Sequence, residues 1–208
     1  MPGPLEGLKV LEIANWIAAP AACAILADMG EEVVKIEHLE TGNPVRSIDV
    51  SSRGVVQYSS GINSAFELLN RGKKSVAVNL ENPRGQEVVQ KMAAGSDVVV
   101  TNLTPHRQER YGLRYEDIGA LNARAIYLAL TGYGTEGPER DRSGFDYVAF
   151  WARSGIMGSL GEAGGPPTQQ RPGQGDQTTS LALTAAIGIS LYERERSWEG
   201  QSIDCSLL

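Results

Sequence analysis

The segment from Lys9 to Glu37 constrains the fold more than any other part of the chain. Lys9-Val10-Leu11-Glu12-Ile13 reads as a short apolar strand, Ala21 to Met29 as a helix of small residues, and Glu32-Val33-Val34-Lys35-Ile36-Glu37 as a second strand. Gly30 stands where a helix C-cap belongs. Two strands joined by a crossover helix run parallel, and the crossover is right-handed. Parallel sheets are covered on both faces, so such a unit demands further helices on either side.

The chain supplies them. Ser75 to Leu80 reads as a third strand and Asp97 to Val100 as a fourth, separated by a helix that Pro83 opens and that ends near Ala94. Short helices over Pro105 to Tyr111 and Tyr115 to Leu121 lead to a fifth strand, Ala125 to Leu130. Alternation at this spacing predicts an α/β fold with a Rossmann-like, mostly parallel sheet flanked by helices. Thr131 to Pro138 is a glycine loop at the carboxyl end of a strand, where open α/β sheets bind ligands. A helix from Phe145 to Ser154 and a loop from Gly158 to Gly175 follow, and Gln201 to Leu208 reads as a sixth strand cut short. His38 to Ser60 lacks periodicity, and a loop of that length is usually functional or disordered.

Arg171-Pro172-Gly173-Gln174-Gly175-Asp176 delivers one carboxylate to the start of a helix that is apolar on nearly every side from Ser180 to Tyr192, and which is therefore expected to be buried. Asp176 reads locally as an N-cap worth ~1 kcal/mol, or as a nucleophile or base kept from bulk water. Local residues favour the cap. The two roles are compatible, because helix N–H donors would keep the carboxylate ionised and aimed.

Other chemistries fail on their motifs. Glu37 lies where a ribose-binding carboxylate belongs, yet Ala14 to Pro20 holds no G-x-G-x-x-G, which argues against NAD. Neither G-x-x-x-x-G-K-[ST] nor G-x-S-x-G occurs, and Asn102-Leu103-Thr104 matches a glycosylation sequon by chance. The net charge of −6 opposes nucleic-acid binding. Cys23 and Cys205 read as reduced core thiols, and His38 and His106 lack metal-ligand spacing. No signal peptide or membrane-length apolar run is seen, so a cytoplasmic protein is expected. Arg46, Arg71, Lys73, Lys74, Arg107 and Arg110 fall near strand ends, as surface charges or as a pocket for the phosphates of a nucleotide-like ligand.

Several segments, in order, resemble the class III CoA-transferases, the family of formyl-CoA transferase, carnitine CoA-transferase and α-methylacyl-CoA racemase. They are Leu26-Ala27-Asp28-Met29-Gly30, Val34-Lys35-Ile36-Glu37, Asn70-Arg71-Gly72-Lys73-Lys74-Ser75, Asp97-Val98-Val99-Val100 with Asn102, Tyr111-Gly112-Leu113, Thr131-Gly132-Tyr133-Gly134 with Gly137-Pro138, and Gly200 to Asp204. The resemblance puts the family's nucleophilic aspartate on Asp176, with amides of the glycine loops and of Gln177 and Thr178 suited to the oxyanion role. It implies CoA transfer from an acyl-CoA to a carboxylic acid through an aspartyl anhydride and an aspartyl-CoA thioester. CoA contacts are implied at Trp16, Ile17, Ala18, His38, Arg71, Lys74, Asn102, Leu103, Arg110 and Tyr133, with CoA as substrate and no tightly bound cofactor or metal. His38 and Ile17 stand where some members carry Arg and Gln, and Leu103-Thr104-Pro105-His106 replaces the usual Phe-x-Pro-Gly.

Racemase members carry a histidine immediately before the aspartate matching Asp146, where this chain has Phe145. An acyl-CoA racemase is thus the alternative, and a non-catalytic CoA-binding subunit completed by a partner is a third. The family chain is longer, so residues 1–208 are expected to be the Rossmann-like large-domain portion, without the small domain and C-terminal return. A fragment, a clipped chain, or one piece of an enzyme completed by another chain would each account for this. Family members form interlocked dimers, so a homo-oligomer or a partner chain is expected to supply the remainder.

Overall fold

Alternate residues of the strands belong to two different cores. Val10, Val98, Val100, Ile126 and Leu128 face one side of the sheet, whereas Leu11, Ile13, Val99, Tyr127 and Ala129 face the other. This period of two places apolar side chains on both faces, as a buried parallel sheet requires. The strands are β1 (Lys9–Ile13), β2 (Glu32–Glu37), β3 (Lys74–Ala77), β4 (Val98–Thr101), β5 (Ile126–Thr131) and β6 (Gln201–Ser206), all parallel, in the order β3-β2-β1-β4-β5-β6. The computed structural model describes residues 3–47, 62–168 and 170–208. The loop expected over His38 to Ser60 lies partly outside them; within them, Pro44–Ser47 forms one 3₁₀ turn.

Helices cover both faces. On one side α1 (Ala18–Asp28) and α7 (Gln174–Ser197) pack Ala19, Ala22, Leu26, Leu183 and Ile187 against the sheet, and α2 (Ser64–Asn70) flanks α1. On the other, α3 (Pro83–Ala94), α4 (Pro105–Tyr111) and α5 (Tyr115–Leu121) contribute Val89, Ala93, Tyr111 and Ile118. Each buried Leu, Ile or Val among them contributes about 1.5–3 kcal/mol. Both cysteines are free; Cys23 is buried, and burial raises its thiol pKa.

Several boundaries differ from those the sequence predicts. Helix α1 begins at Ala18 rather than Ala21, because Pro20 falls in its first turn, where no N–H is needed. Strand β3 ends at Ala77 rather than Leu80. The helix expected from Phe145 is a π-helix over Asp146–Arg153, and a short α6 (Ile156–Ser159) overlaps the start of the expected loop. Strand β6 is not cut short, since it pairs with β5 at six positions from Ile126↔Gln201 to Thr131↔Ser206. Helix α7 is not buried all round. Leu181, Ile189 and Tyr192 are 63%, 70% and 68% exposed, because the sheet takes only the opposite stripe of Leu183, Ile187 and Leu191.

Candidate active site

Strand order reverses between β1 and β4, and in a doubly wound sheet the crevice opens at that point, beyond the carboxyl ends of the strands. A cavity lies there. It is walled by Asn15–Ala18 after β1, Asn102–Thr104 after β4, Thr131 and Gly132 at the end of β5, and Arg142–Phe145, with Asp176 and Leu207 closing it. Gly132 and Gly144 admit this close packing, since a Cβ on Gly132 would stand 2.5 Å from the Gly144 Cα.

The β1 and β4 loops hold each other. The Asn15 N–H donates to Asn102 Oδ1 at 3.0 Å, and Asn102 Nδ2 donates to the Asn15 carbonyl at 2.7 Å. The Thr101 hydroxyl donates to the Ile13 carbonyl at 3.1 Å and accepts the Leu103 N–H at 3.1 Å. Beyond Asn15, Trp16 takes a left-handed φ of 65°, and its ring meets Phe145 edge-on with centroids 5.5 Å apart.

Asp176 is the third residue of α7, whose N-cap is Gly173 at φ 79° with no side-chain cap. The carboxylate therefore does not serve as the cap that its position suggests. Asp146 does that work from 30 residues away. It is 6% exposed, and it accepts the Gly173 N–H on Oδ2 at 2.8 Å and the Asp176 N–H on Oδ1 at 3.1 Å. Gly175 is required beneath it, because a Cβ there would overlap Asp146 Oδ1 and the Phe150 ring. With the backbone amides taken by Asp146, the Asp176 side chain is left for the cavity.

Burial, and secondarily the Asp146 charge, raise the Asp176 pKa from 3.8 to about 7. This corrects the expectation of a carboxylate kept ionised by helix amides. The Gln177 N–H donates to the Gly173 carbonyl at 2.9 Å, and Gln177 and Thr178 both lie inside α7, so neither supplies an oxyanion donor. The start of α1 is better placed. Ile17 caps it without a side-chain bond, Ile17 and Ala18 wall the cavity, and the first N–H groups of a helix have no partner within it.

A second cavity adjoins the first, sharing Asn15, Leu103 and Arg107, and runs over β2 and β3 past Glu37, His38, Asn79 and Tyr111. His38 Nδ1 lies 3.3 Å from the amides of Glu40 and Thr41. Glu37 is not free for a ribose: Arg46 clamps it through Nε and Nη2 at 2.8 and 2.7 Å, holding its pKa down at about 2.

The structure thus brings Trp16, Ile17, Ala18, Asn102 and Leu103 to Asp176, and puts His38 in the adjoining cavity. Four other residues implied by the resemblance line neither cavity among the described residues. Arg71 is held by Asp28, with Nε 3.0 Å from Oδ2. Lys74 pairs with Glu32 at 3.2 Å, near the amino ends of the strands. Arg110 pairs with Glu81, and the Tyr133 ring lies beneath Arg142 and Arg153. Arg107, with no ion pair among the described residues, is the basic side chain common to both cavities. Arg142 was not legible as a site residue, and Asp146 and Phe145 stood out only through the resemblance to racemases, because tertiary packing alone brings all three to Asp176.

A carboxylate in the crevice of a Rossmann-order sheet, without a dinucleotide turn, defines an α/β protein with two adjoining cavities at the point where its strand order reverses. Residues 5–208 match CoA-transferase family III, and the chain belongs to that family. It is 36% identical, over 98% of its length and 48% of the relative's, to a cinnamoyl-CoA:phenyllactate CoA-transferase of Clostridium sporogenes. It is 38% identical, over 99% of its length and 45% of the relative's, to a succinyl-CoA:glutarate CoA-transferase of Mus musculus. A CAIB/BAIF family protein from Brucella suis superposes with a TM-score of 0.89 at 33% identity, over 100% of this chain and 54% of that one. The chain spans about half the length of the curated relatives it matches. Among the described residues no helix is long and apolar enough to cross a membrane.

Proposed function

We propose that this chain carries the nucleophile and the CoA cleft of a CoA-transferase that moves CoA from an acyl-CoA thioester to a free carboxylic acid. The observation that carries this is Asp176: a carboxylate whose pKa is raised to about 7, freed from capping by Asp146 and facing a cavity that continues into a second one. CoA joins a long pantetheine arm to a nucleotide, so it suits two cavities in series. In the proposed pose the thioester sits at Asp176, the arm passes Asn102 and Leu103, and the nucleotide end lies towards His38. Arg107 stands at the junction as the phosphate partner, in keeping with the bidentate preference of a guanidinium.

Asp176 attacks the thioester carbonyl, the C–S bond breaks, and CoA leaves as thiolate, giving an aspartyl–acyl anhydride. The thiolate attacks the aspartyl carbonyl and releases the donor acid, leaving aspartyl-CoA thioester. The acceptor carboxylate displaces the thiolate to form a second anhydride. Thiolate attack on the acceptor's carbonyl then gives the new acyl-CoA and restores the Asp176 carboxylate. No net proton moves. A basic carboxylate is the better nucleophile, and splitting the transfer into such steps lowers each barrier. The amides at the start of α1 suit the oxyanions, and a partner covering the exposed Trp16–Phe145 pair would shield the anhydride from water.

Racemisation would need a second base across the α-carbon from the first. Phe145, edge-on to Trp16, stands where the resemblance to racemases puts that base, so transfer is favoured. An interlocked second copy or a partner chain covering the open rim at Trp16 and Phe145 is part of the proposal, and sedimentation of the full chain tests it. Chemically, acyl-CoA followed by hydroxylamine is expected to leave a hydroxamate on the peptide carrying Asp176. Substrate turnover without that adduct, or undiminished activity in Asp176→Ala, overturns the assignment.

A further inference from the structure

Three charged side chains lie buried under the cleft, where charges are rare unless paired. Glu12 and Lys35 are 0% and 1% exposed, and the Lys73 side chain is 2% exposed. The Glu12 carboxylate takes Lys35 Nζ on Oε1 and Lys73 Nζ on Oε2, the latter at 2.6 Å. Both ammoniums also bond backbone. Lys35 donates to the Ala14 carbonyl at 2.7 Å, and Lys73 donates to the carbonyls of Pro20 and Leu69, both at 2.7 Å. A buried ion network seldom improves on an apolar core of equal volume, so its value here is positional.

The Ala14 carbonyl lies one residue past the end of β1 and leads into the left-handed turn at Trp16. That conformation costs a non-glycine residue about 1–2 kcal/mol and persists only where the surroundings fix it. Asn102 holds Asn15 on both sides, and the Ile17 carbonyl accepts the Ala21 N–H at 2.7 Å. Lys35 supplies the third fixed point.

We propose that Lys35, locked in place by the Glu12 carboxylate that Lys73 also holds, is a positioning residue whose ammonium holds the Ala14 carbonyl and thereby sets the Trp16 turn that lines the same cavity as Asp176. Its effect on catalysis rests on the cleft being the acyl-CoA site; its effect on the loop does not. Hydrogen exchange of the ligand-free full chain, together with steady-state kinetics, separates the two. In Lys35→Met, the amides of Asn15 to Ile17 are expected to exchange about tenfold faster, with β4 and β5 at wild-type rates. KM for acyl-CoA is expected to rise about tenfold, with kcat within about twofold.

Wild-type exchange in the loop overturns the proposal, as does exchange accelerated equally across the sheet. Faster loop exchange with an unchanged KM upholds the positioning role and counts against an acyl-CoA site in the cleft. Should Lys35→Met not fold, Glu12→Gln leaves one acceptor oxygen for two ammoniums and so loosens the lock on Lys35. Faster exchange of the Asn15 to Ile17 amides is then expected, with β4 and β5 at wild-type rates, and wild-type loop exchange overturns the proposal.

Discussion

Replacing Asp146 by Asn removes one negative charge beside Asp176 while keeping the side chain's size. The rise of Asp176 from 3.8 to about 7 makes its ionised form about 4 kcal/mol dearer than in the unfolded chain. Burial is the larger cause and the Asp146 charge the smaller. Asp146→Asn should therefore lower the Asp176 midpoint by about one pH unit and not return it to 3.8. In wild type, a rate that needs ionised Asp176 climbs with pH through about 7; in the variant the same limb lies lower. The pH dependence of kcat/KM reads this directly.

Stability moves by a second route. Asp146 accepts two amides, from Gly173 and Asp176, and Asn offers a single acceptor oxygen. One buried amide is left unpaired, at a cost of about 1–3 kcal/mol, or several degrees in Tm for a chain of this size. The loss is larger at pH 5, where Asp176 is protonated, than at pH 8, where relief of repulsion offsets part of it. An acid limb that stays put or moves upward in Asp146→Asn refutes the electrostatic coupling of the two carboxylates.

Asp176→Asn should abolish transfer yet stabilise the fold. A carboxyl pKa raised in the folded state means stability lost as pH climbs from about 3.8 to about 7. The gain therefore appears in denaturant melts above pH 7 and vanishes below about pH 4. Glu31, at the other end of the sheet, behaves likewise. It is 4% exposed with both carboxylate oxygens unpartnered among the described residues, and burial, then the Asp97 charge, raise its pKa from 4.5 to about 7. Glu31→Gln should stabilise by up to about 3 kcal/mol above pH 7 and by little below pH 4.5. Gly175→Ala should cost ~2 kcal/mol or more and most of the activity, since its Cβ meets Asp146 and Phe150. Arg107→Ala should raise KM for acyl-CoA but leave KM for the matching acyl-pantetheine unchanged, because only the former carries phosphates.

The sheet was legible because β1, β2, β4 and β5 are short apolar runs bounded by turns, and the crevice followed from their topology. The stripe of α7 that stays exposed was not, because Leu181, Ile189 and Tyr192 are as apolar as the residues the sheet covers. The local reading made Asp176 the cap of its helix, whereas the cap is Asp146, remote in sequence. Lys35 and Glu12 look like ordinary strand charges, and nothing local says that they face each other across 23 residues. Arg71, Lys74 and Arg110 fell near strand ends in sequence, yet Asp28, Glu32 and Glu81 hold them. Ion pairing of this kind depends on helix and strand orientation, which spacing does not encode.

The identity of the nucleophile can be tested without trapping. An acceptor acid labelled with heavy oxygen in its carboxylate is turned over with unlabelled acyl-CoA, and the peptide carrying Asp176 is weighed. Each complete cycle leaves one acceptor oxygen on the Asp176 carboxylate, so heavy oxygen should accumulate there and on no other residue. Labelled acyl-CoA product forming while Asp176 stays light contradicts the anhydride route.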